Sequence, residues 1–264
     1  MKKMYFLAPV LCMALASCNV KADKVTYDID ADRDSLKMEL DSFSTKYQNN
    51  GDIPQEQIIK EYSAIISKYY NRHKGDSLGL EMFSILANYG WSDEELKAEY
   101  DKADTLIQNN SRVKRQIQLN ENMAKTAVGC KYEDIAGPEA KTGEEISISK
   151  TLEGGKMVLL DFWASWCGPC RRCIKDELPG VAEKYADRLT ILGIDVWERQ
   201  REDLDEAMGQ LPITWQVIYT GTGSESPADL YGVKYIPTLV LIDKDGTILA
   251  RGGMEDIEKV LEQQ

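Results

Sequence analysis

The stretch that most constrains the fold is 167–170, where the sequence reads Cys-Gly-Pro-Cys between two predicted elements of different type. An apolar run at 157–162, which contains the single charged residue Asp161, precedes it and predicts a fully buried strand. The residues after it contain no helix breaker before Pro179 and predict a helix over 168–186. The sequence therefore places both cysteines at a strand-to-helix turn, the first at the start of the helix and the second one turn into it.

This placement suits the two thiols, Cys167 and Cys170, to thiol–disulfide exchange. Free backbone N–H groups and the positive end of the helix dipole favour a thiolate at Cys167. Cys170 is expected within bonding distance, and a nucleophilic thiol with a second thiol beside it is what the exchange reaction needs. A structural disulfide and half of a zinc site are the alternatives. Zinc normally takes a second pair of ligands, and no such pair stands nearby in the sequence.

The residues 161–170, which read Asp-Phe-Trp-Ala-Ser-Trp-Cys-Gly-Pro-Cys, resemble the active-site signature of thioredoxin-like proteins. A second stretch, 235–246, resembles the cis-proline loop of that family and the hairpin that follows it. Taken with its N-terminus, the chain is most similar to the membrane-tethered thioredoxins of the bacterial cell envelope, of the TlpA/ResA type. The resemblance covers roughly the second half of the chain and is weak or absent before Ala127.

The resemblance implies that four residues carry the catalysis: Asp161, Cys167, Cys170 and Pro237. Cys167 is expected to be the nucleophile, and Cys170 the thiol that resolves the mixed disulfide. Asp161 stands within the apolar run, so burial is expected to raise its pKa and to let it accept the proton of Cys170. A solvated aspartate at a strand end is the alternative for Asp161.

The same resemblance implies a surface around Cys167 that binds the substrate. Pro237 is expected to follow a cis peptide bond and to expose the backbone of Ile236, which could pair with an extended substrate strand. An Ile–Pro bond by itself favours trans, so this expectation depends on the resemblance. The residues expected to contact the substrate are Trp166, Gly168, Pro169 and Ile236.

A third cysteine, Cys173, follows Cys170 by one helical turn and gives the pattern C-x-x-C-x-x-C. The simplest interpretation is a small buried apolar side chain. One alternative is an auxiliary thiol, for example in a disulfide with Cys130. The other is an iron–sulfur ligand, for which the Gly-Pro dipeptide and the flanking tryptophan have no role. No metal and no cofactor is therefore expected.

The N-terminus has the three parts of a secretory signal: a basic start, a short apolar run at 4–16 and small residues before a break. The run is too short to span a bilayer as a helix. Residues 15–18, Leu-Ala-Ser-Cys, resemble a bacterial lipobox, which predicts that 1–17 are removed and that Cys18 carries the lipid anchor. A plain signal peptide is the alternative. Asn19 is not the aspartate of an inner-membrane signal, which favours the outer membrane.

The rest of the chain divides into a polar tether at 18–33, a helical domain at 34–127 and a thioredoxin-like domain at 128–264. Apolar residues three and four apart predict four or five helices in the second segment, and Ser92 begins a capping box. Strands and helices alternate in the third. Together with the resemblance, this order predicts the α/β class: a thioredoxin fold, with a central mixed sheet flanked by helices, preceded by a small all-α domain.

Composition narrows the possible partners. A formal net charge of −12 argues against nucleic acid, because a nucleic-acid-binding protein needs a basic face. The single histidine, His73, excludes a multi-histidine metal site.

The function expected on this basis is reduction of disulfides in proteins of the cell envelope, on its periplasmic side, because the Gly-Pro dipeptide resembles that of reducing members of the family. A reductase in an oxidising compartment needs an electron donor, and a membrane thiol relay is expected to supply the electrons. Its substrates would be proteins that carry disulfides or thiols. The alternative is a partner-binding or chaperone module in which the helical domain carries the function.

Overall fold

The computed structural model describes residues 26–48, 53–222 and 226–263. The expected signal segment 1–17 and the lipid anchor Cys18 lie outside the described residues. Helices come first in the described chain: α1 Ile29–Tyr47, α2 Gln55–Arg72, α3 Ser77–Tyr89, α4 Asp93–Lys102, α5 Thr105–Gln108 and α6 Ser111–Lys125. None of the helices in the described ranges is both long and apolar enough to cross a membrane.

An α/β unit follows the helical region. Its strands are β1 Ala136–Pro138, β2 Glu145–Ser147, β3 Met157–Trp163, β4 Leu189–Asp195, β5 Gln216–Tyr219, β6 Thr238–Ile242 and β7 Ile248–Gly252. Its helices are α7 Ile148–Leu152, α8 Gly168–Asp176, α9 Leu178–Lys184, α10 Arg201–Gln210 and α11 Met254–Leu261. A 3-10 helix, Pro227–Tyr231, lies between β5 and β6. This order confirms the predicted fold class.

The central sheet has five strands in the order β5-β4-β3-β6-β7. β3 lies in the middle, parallel to β4 and antiparallel to β6, so the sheet is mixed as expected. All seven residues of β3 are buried, including Asp161, which is the burial that its mostly apolar sequence predicts. β1 and β2 form a separate antiparallel pair.

Side chains alternate between the two faces of β3 and divide the core of the α/β unit into two layers. Leu159 and Trp163 belong to the layer that also contains Cys170. Phe162 belongs to the layer on the opposite face. Asp161 shares its face with Leu159 and Trp163, so its carboxyl is directed into the layer that holds the cysteines.

Helix α1 begins earlier than predicted, because Ile29 lies inside the expected tether 18–33. Asp28 caps this helix, since its Oδ1 accepts hydrogen bonds from the backbone N–H groups of Asp30 and Ala31. Acidic side chains in the first turn also interact favourably with the helix dipole. These polar signals start the helix before its apolar stripe begins, so the predicted boundary of the helical domain is too late.

The helix after the cysteines is interrupted, so the prediction of one continuous helix over 168–186 is wrong. α8 and α9 meet at Glu177, which has φ −118° and ψ −56°. Pro179 causes the break, because a proline ring clashes with the carbonyl group four residues earlier, here that of Lys175, and lacks the N–H that would bond to it. α8 therefore ends at Asp176, one turn after Cys173.

The helical region docks on the α/β unit through α6 and the 3-10 helix. Gly232 follows the 3-10 helix with φ +57°, and a Cβ atom there would lie 2.2 Å from the Leu119 carbonyl oxygen of α6. The Asn122 side chain donates to the Asp229 carbonyl oxygen at 2.8 Å, and Arg115 pairs with the Asp229 carboxylate at 3.1 Å. Close backbone packing and polar contacts therefore join the two parts of the chain.

The single histidine links three helices of the helical region. His73 is buried just after α2, with Nδ1 2.7 Å from Asp76, the N-cap of α3, and Nε2 2.9 Å from Asp32 of α1. Burial lowers the pKa of His73, but the hydrogen bonds and charges of the two carboxylates raise it by more, so the net shift is upward. Arg72 also contacts Asp32, at 3.1 Å. His73 is therefore the central cation of a structural ion-pair cluster.

We expect His73→Gln to lower the free energy of unfolding by about 2 kcal/mol at pH 6, because charged hydrogen bonds to both carboxylates are lost. The folded-state pKa of His73 lies above the unfolded value of about 6.5, so this stabilisation is complete below that pH and is lost as the pH rises through the folded-state pKa. Urea unfolding of both proteins at pH 6 and pH 9 measures the difference. An equal loss at the two pH values would contradict the ion-pair role.

Candidate active site

Cys167 and Cys170 form a disulfide, with an S–S distance of 2.00 Å and Cα atoms 5.3 Å apart. Cys167 is the N-cap of α8, and its Sγ accepts a hydrogen bond from the Cys170 backbone N–H at 3.1 Å. In the reduced protein this N–H and the positive end of the α8 dipole stabilise a thiolate. Cys167 is 4% exposed and Cys170 is fully buried, so Cys167 is the more accessible of the two residues.

The loop before β6 packs against this disulfide. The Ile236–Pro237 peptide bond is cis, which is the conformation that the resemblance implied. The Ile236 carbonyl oxygen lies 3.8 Å from Cys167 Sγ, and Thr238 Oγ1 donates to the Tyr235 carbonyl oxygen at 2.7 Å. The backbone of this loop therefore runs past the reactive sulfur, where an extended substrate segment could pair with it.

Exposed aromatic side chains border the disulfide. Trp166 is 46% exposed, and its Nε1 donates to the Trp197 carbonyl oxygen at 3.0 Å. Tyr235, on the cis-proline loop, is 69% exposed. The Arg199 guanidinium lies 5.9 Å from the centre of the Trp166 ring, within the range of a cation–π contact. The rim of the site is thus apolar, with a positive charge next to it.

The other two residues expected to contact the substrate, Gly168 and Pro169, open α8 directly beside Cys167. A Cβ atom at Gly168 would meet nothing within 4 Å, so the surface there is open. Pro169 lines a cavity of about 240 Å³ together with Cys173 and Pro237. The structure therefore brings the residues predicted from the two separate motifs together around one sulfur atom.

Asp161 is fully buried on β3, so the alternative of a solvated aspartate is wrong. Burial raises the pKa of its carboxyl to about 7. Within the part of the chain that the structure describes, neither carboxylate oxygen has a hydrogen-bond partner. A carboxyl with this pKa exchanges its proton near neutral pH, and Asp161 faces the layer that holds Cys170. This placement suits it to accept the proton of that thiol.

A second pair of acidic residues, Asp195 and Glu198, lies beside the active-site loop, and neither sequence motif indicates it. Glu198 is buried, and its carboxylate accepts hydrogen bonds from the backbone N–H and, at 2.7 Å, from the hydroxyl of Ser165. Asp195, at the end of β4, is also buried. Its burial, and next the neighbouring Glu198, raise its pKa to about 9. β3 and β4 are parallel, so their C-terminal ends lie at the same edge of the sheet. The position of these acidic residues at and just after the end of β4 was the sequence feature that could have indicated their proximity to the active-site loop.

We expect Glu198→Gln to lower the free energy of unfolding by about 2 kcal/mol, because an amide accepts through one oxygen and leaves one Ser165 donor without a partner. Loosening Ser165 should also change the alkylation rate of reduced Cys167, two residues later. Denaturant unfolding and alkylation kinetics measure the two effects. Glu202→Gln, at an exposed position of α10, is the matched control and should change neither. Equal behaviour of the two variants would contradict a positioning role for Glu198.

The two other cysteines in the described ranges are free thiols. Cys173 is buried, and its burial, followed by the charges of Asp161 and Glu177, raises its pKa to about 12. Such a thiol is a poor nucleophile, which fits the interpretation of a small buried side chain. The alternative disulfide between Cys173 and Cys130 is not formed. Among the described residues, no group of three His, Cys, Asp or Glu side chains could hold a metal ion.

Comparison with known proteins finds relatives that are similar to the part of this chain that contains the cysteine pair. A family model described as Thioredoxin-like matches residues 154–248. Thioredoxin from Bacillus subtilis is 34% identical over 109 residues, which cover 41% of this chain and 77% of that protein. The thiol-disulfide oxidoreductase ResA from Geobacillus thermodenitrificans is 32% identical over 116 residues, which cover 41% of this chain and 63% of that protein.

A third relative is the thioredoxin-like protein YneN of Bacillus subtilis, which is 29% identical over 112 residues, covering 40% of this chain and 61% of that protein. The chain thus spans a little under two thirds of the length of ResA and of YneN. The residues that the family model matches include the Cys167–Cys170 disulfide, the buried Asp161 and the cis-proline loop. On these matches, the chain belongs to the thioredoxin-like family.

Proposed function

We propose that this protein is a thiol–disulfide oxidoreductase of the bacterial cell envelope that reduces disulfides in protein substrates. The observation that carries the proposal is the Cys167–Cys170 disulfide at the start of α8, with the Ile236 carbonyl of the cis-proline loop 3.8 Å from its outer sulfur. A reactive sulfur, a resolving thiol and a free stretch of backbone then lie together. These are the parts that disulfide exchange with an extended polypeptide requires.

The first step forms a mixed disulfide. The thiolate of reduced Cys167 attacks one sulfur of the substrate disulfide, and the S–S bond of the substrate breaks. The leaving sulfur departs as a thiolate and takes a proton from solvent. The attacking thiolate of Cys167 is stabilised by its position at the N-terminus of α8 and by the Cys170 backbone N–H.

The second step releases the substrate. The Asp161 carboxylate accepts the proton of Cys170, and the Cys170 thiolate attacks Cys167 Sγ. The intramolecular disulfide forms, the mixed disulfide breaks, and the departing substrate thiolate takes up the proton that Asp161 held. Two electrons have then moved from the cysteine pair to the substrate. A dithiol donor must reduce the pair before the next turnover, and we propose that a membrane thiol relay supplies these electrons.

The reduction potential of the Cys167–Cys170 pair tests the proposed direction. Equilibration of the protein with glutathione or dithiothreitol should give a value near that of thioredoxin, about −270 mV. A value well above about −180 mV would mean an oxidant or isomerase and would overturn the direction. Cys173→Ser is the control, and it should leave the potential unchanged because the buried Cys173 thiol takes no part in the exchange.

We further propose that the protein is a lipoprotein of the outer membrane that faces the periplasm and is anchored through Cys18. Support comes from the sequence, where a short apolar run ends in Leu-Ala-Ser-Cys and Asn19 follows. Metabolic labelling with a fatty acid, followed by membrane fractionation, tests this. Label should appear in the outer membrane and disappear in Cys18→Ser. An unlabelled wild-type protein, or label in the inner membrane, would overturn it.

A further inference from the structure

A cleft of about 840 Å³ lies between the helical region and the α/β unit. Asn88 of α3, together with Arg115 and Leu119 of α6, lines one of its walls. The loops that follow β4 and precede β6 line the facing wall. We call this space the α6 cleft. The function proposed above uses the α/β unit and leaves both this cleft and the helical region without a role.

The facing wall of the α6 cleft is continuous with the rim of the disulfide. Trp197 lines the cleft, and its carbonyl oxygen accepts the hydrogen bond from Trp166 Nε1 at 3.0 Å. Residues 233–234 also line the cleft. The chain continues from them to Ile236, whose carbonyl oxygen lies 3.8 Å from Cys167 Sγ. The α6 cleft therefore begins two residues along the chain from the cis-proline loop, within reach of a polypeptide that pairs with that loop.

The α6 cleft is basic, although the whole chain carries a net charge of −12. Three cationic side chains line it, those of Arg115, Arg199 and Lys234. Glu198 also lines it, but this carboxylate is buried, and both of its oxygens accept hydrogen bonds from Ser165. An anionic ligand in the cleft therefore meets positive charge on both walls.

Two of the three cations have acidic neighbours. Arg115 pairs with Asp229 at 3.1 Å, and Lys234 Nζ lies 3.8 Å from Asp93. These ion pairs are partly exposed, and exposed pairs contribute little free energy, so a carboxylate of a ligand can share these cations. Leu119 adds apolar surface on the helical wall. The cleft therefore suits a peptide with acidic side chains rather than a free inorganic anion.

We propose that the α6 cleft binds an extended acidic segment of the protein substrate, adjacent in sequence to the cysteine that Cys167 attacks. The inference rests on the proposed function, since it names the substrate class of the same site. The segment is extended because it continues from backbone pairing with the cis-proline loop. Charge complementarity then selects among possible substrates and accelerates their association. The helical region supplies one wall of this site and so takes part in substrate selection.

The test compares three quenched fluorescent peptides in which a disulfide joins two strands. They differ only in the three residues next to the cysteine, which are all glutamate, all glutamine or all lysine. Each peptide is made in two versions, with these three residues on the N-terminal or on the C-terminal side of the cysteine. We expect the full chain, reduced beforehand with dithiothreitol, to cleave the glutamate peptide with a kcat/KM about fivefold or more above the lysine peptide for one of the two flanks. This ratio should fall toward one between 50 and 500 mM salt, because screening weakens the attraction.

Substitutions on the two walls of the α6 cleft test whether the preference for the glutamate peptide arises there. Gln116→Glu on α6 and Lys234→Glu on the facing wall should each reduce the ratio of glutamate to lysine peptide by about threefold or more, because each makes the cleft more negative. Lys184→Glu makes a comparable charge change at an exposed position of α9, and it should leave the ratio unchanged. An equal effect of Lys184→Glu would mean that net charge, and not the cleft, selects the substrate, and would overturn the inference.

The outcomes separate the two proposals. If the wild-type protein cleaves none of the peptides, the proposed function fails. If it cleaves all three with equal kcat/KM, the reductase function stands and the binding of acidic segments in the α6 cleft is overturned. A preference for glutamate that Gln116→Glu and Lys234→Glu leave intact would also overturn it, since the preference then arises elsewhere on the protein.

Discussion

Cys170→Ser is expected to accumulate as a stable mixed disulfide with its substrate, whereas Cys167→Ser should form none. The difference follows from the burial of the two sulfurs, because Cys167 borders the substrate surface and Cys170 lies fully buried behind it. Without Cys167 the first attack does not occur, and without Cys170 the mixed disulfide has no internal thiol to resolve it. Each variant should lose about 10³-fold or more in kcat/KM, since the two thiols act as one unit.

Non-reducing electrophoresis after mixing with a disulfide-containing protein measures the trapped species, and a fluorescent disulfide peptide measures the rate. Cys173→Ser is the control at the next turn of the same helix, and it should retain wild-type turnover. Normal turnover by Cys170→Ser would contradict the two-thiol mechanism. A trapped complex in Cys173→Ser would show that the third thiol, despite its raised pKa, resolves the intermediate.

Asp161→Asn is expected to stabilise the protein while slowing the second step of the reaction. The folded-state pKa of Asp161 is about 7, raised by burial, against about 3.9 in an unfolded chain. Between these two pKa values the carboxyl is protonated in the folded protein and ionised in the unfolded chain. The free energy of unfolding is therefore highest below the unfolded-state pKa and falls as the pH rises to the folded-state pKa. The ionised carboxylate therefore costs stability on the order of 4 kcal/mol at pH 8, and the asparagine removes this cost.

The same substitution removes the group that accepts the proton of Cys170. Resolution of the mixed disulfide should then slow by roughly 10²-fold at pH 7. In the wild-type protein the rate should rise with pH through about 7 as Asp161 ionises, and the variant should lack this step. Guanidinium unfolding at pH 4 and pH 8, and stopped-flow decay of the mixed disulfide, measure the two effects. A variant that is less stable at pH 8 would contradict an ionisable buried carboxyl at this position.

The two expected effects of Asp161→Asn, on stability and on the rate of resolution, have the same cause. A buried carboxylate without a hydrogen-bond partner among the described residues weakens the fold, and an apolar side chain at Asp161 would pack the layer without that cost. The same isolation keeps its pKa near neutral pH, where a proton acceptor is useful to Cys170. Stability and the rate of resolution should therefore change in opposite directions when Asp161 is replaced.

The sequence by itself determined the features that depend on neighbours along the chain. The apolar run of β3, the strand-to-helix turn at 167–170 and the capping box at Ser92 and Glu95 were all predictable from residues a few positions apart. Periodicity and capping chemistry act over one or two turns, so a local pattern is enough to specify them. The predicted helix over 168–186 is broken before Pro179, because a proline disrupts the turn that precedes it.

The tertiary structure alone decided which distant residues meet. Glu198 reaches Ser165 across 33 positions of the chain, and His73 reaches Asp32 across 41. Gly232 lies against α6 where the helical region meets the α/β unit, and the α6 cleft lies between these same two parts of the chain. Periodicity indicates that a side chain is buried but not which side chain it faces, because that depends on how separate elements pack. The chemistry of the cysteine pair could therefore be predicted from the sequence. The contact of Glu198 with Ser165 and the α6 wall of the cleft could not.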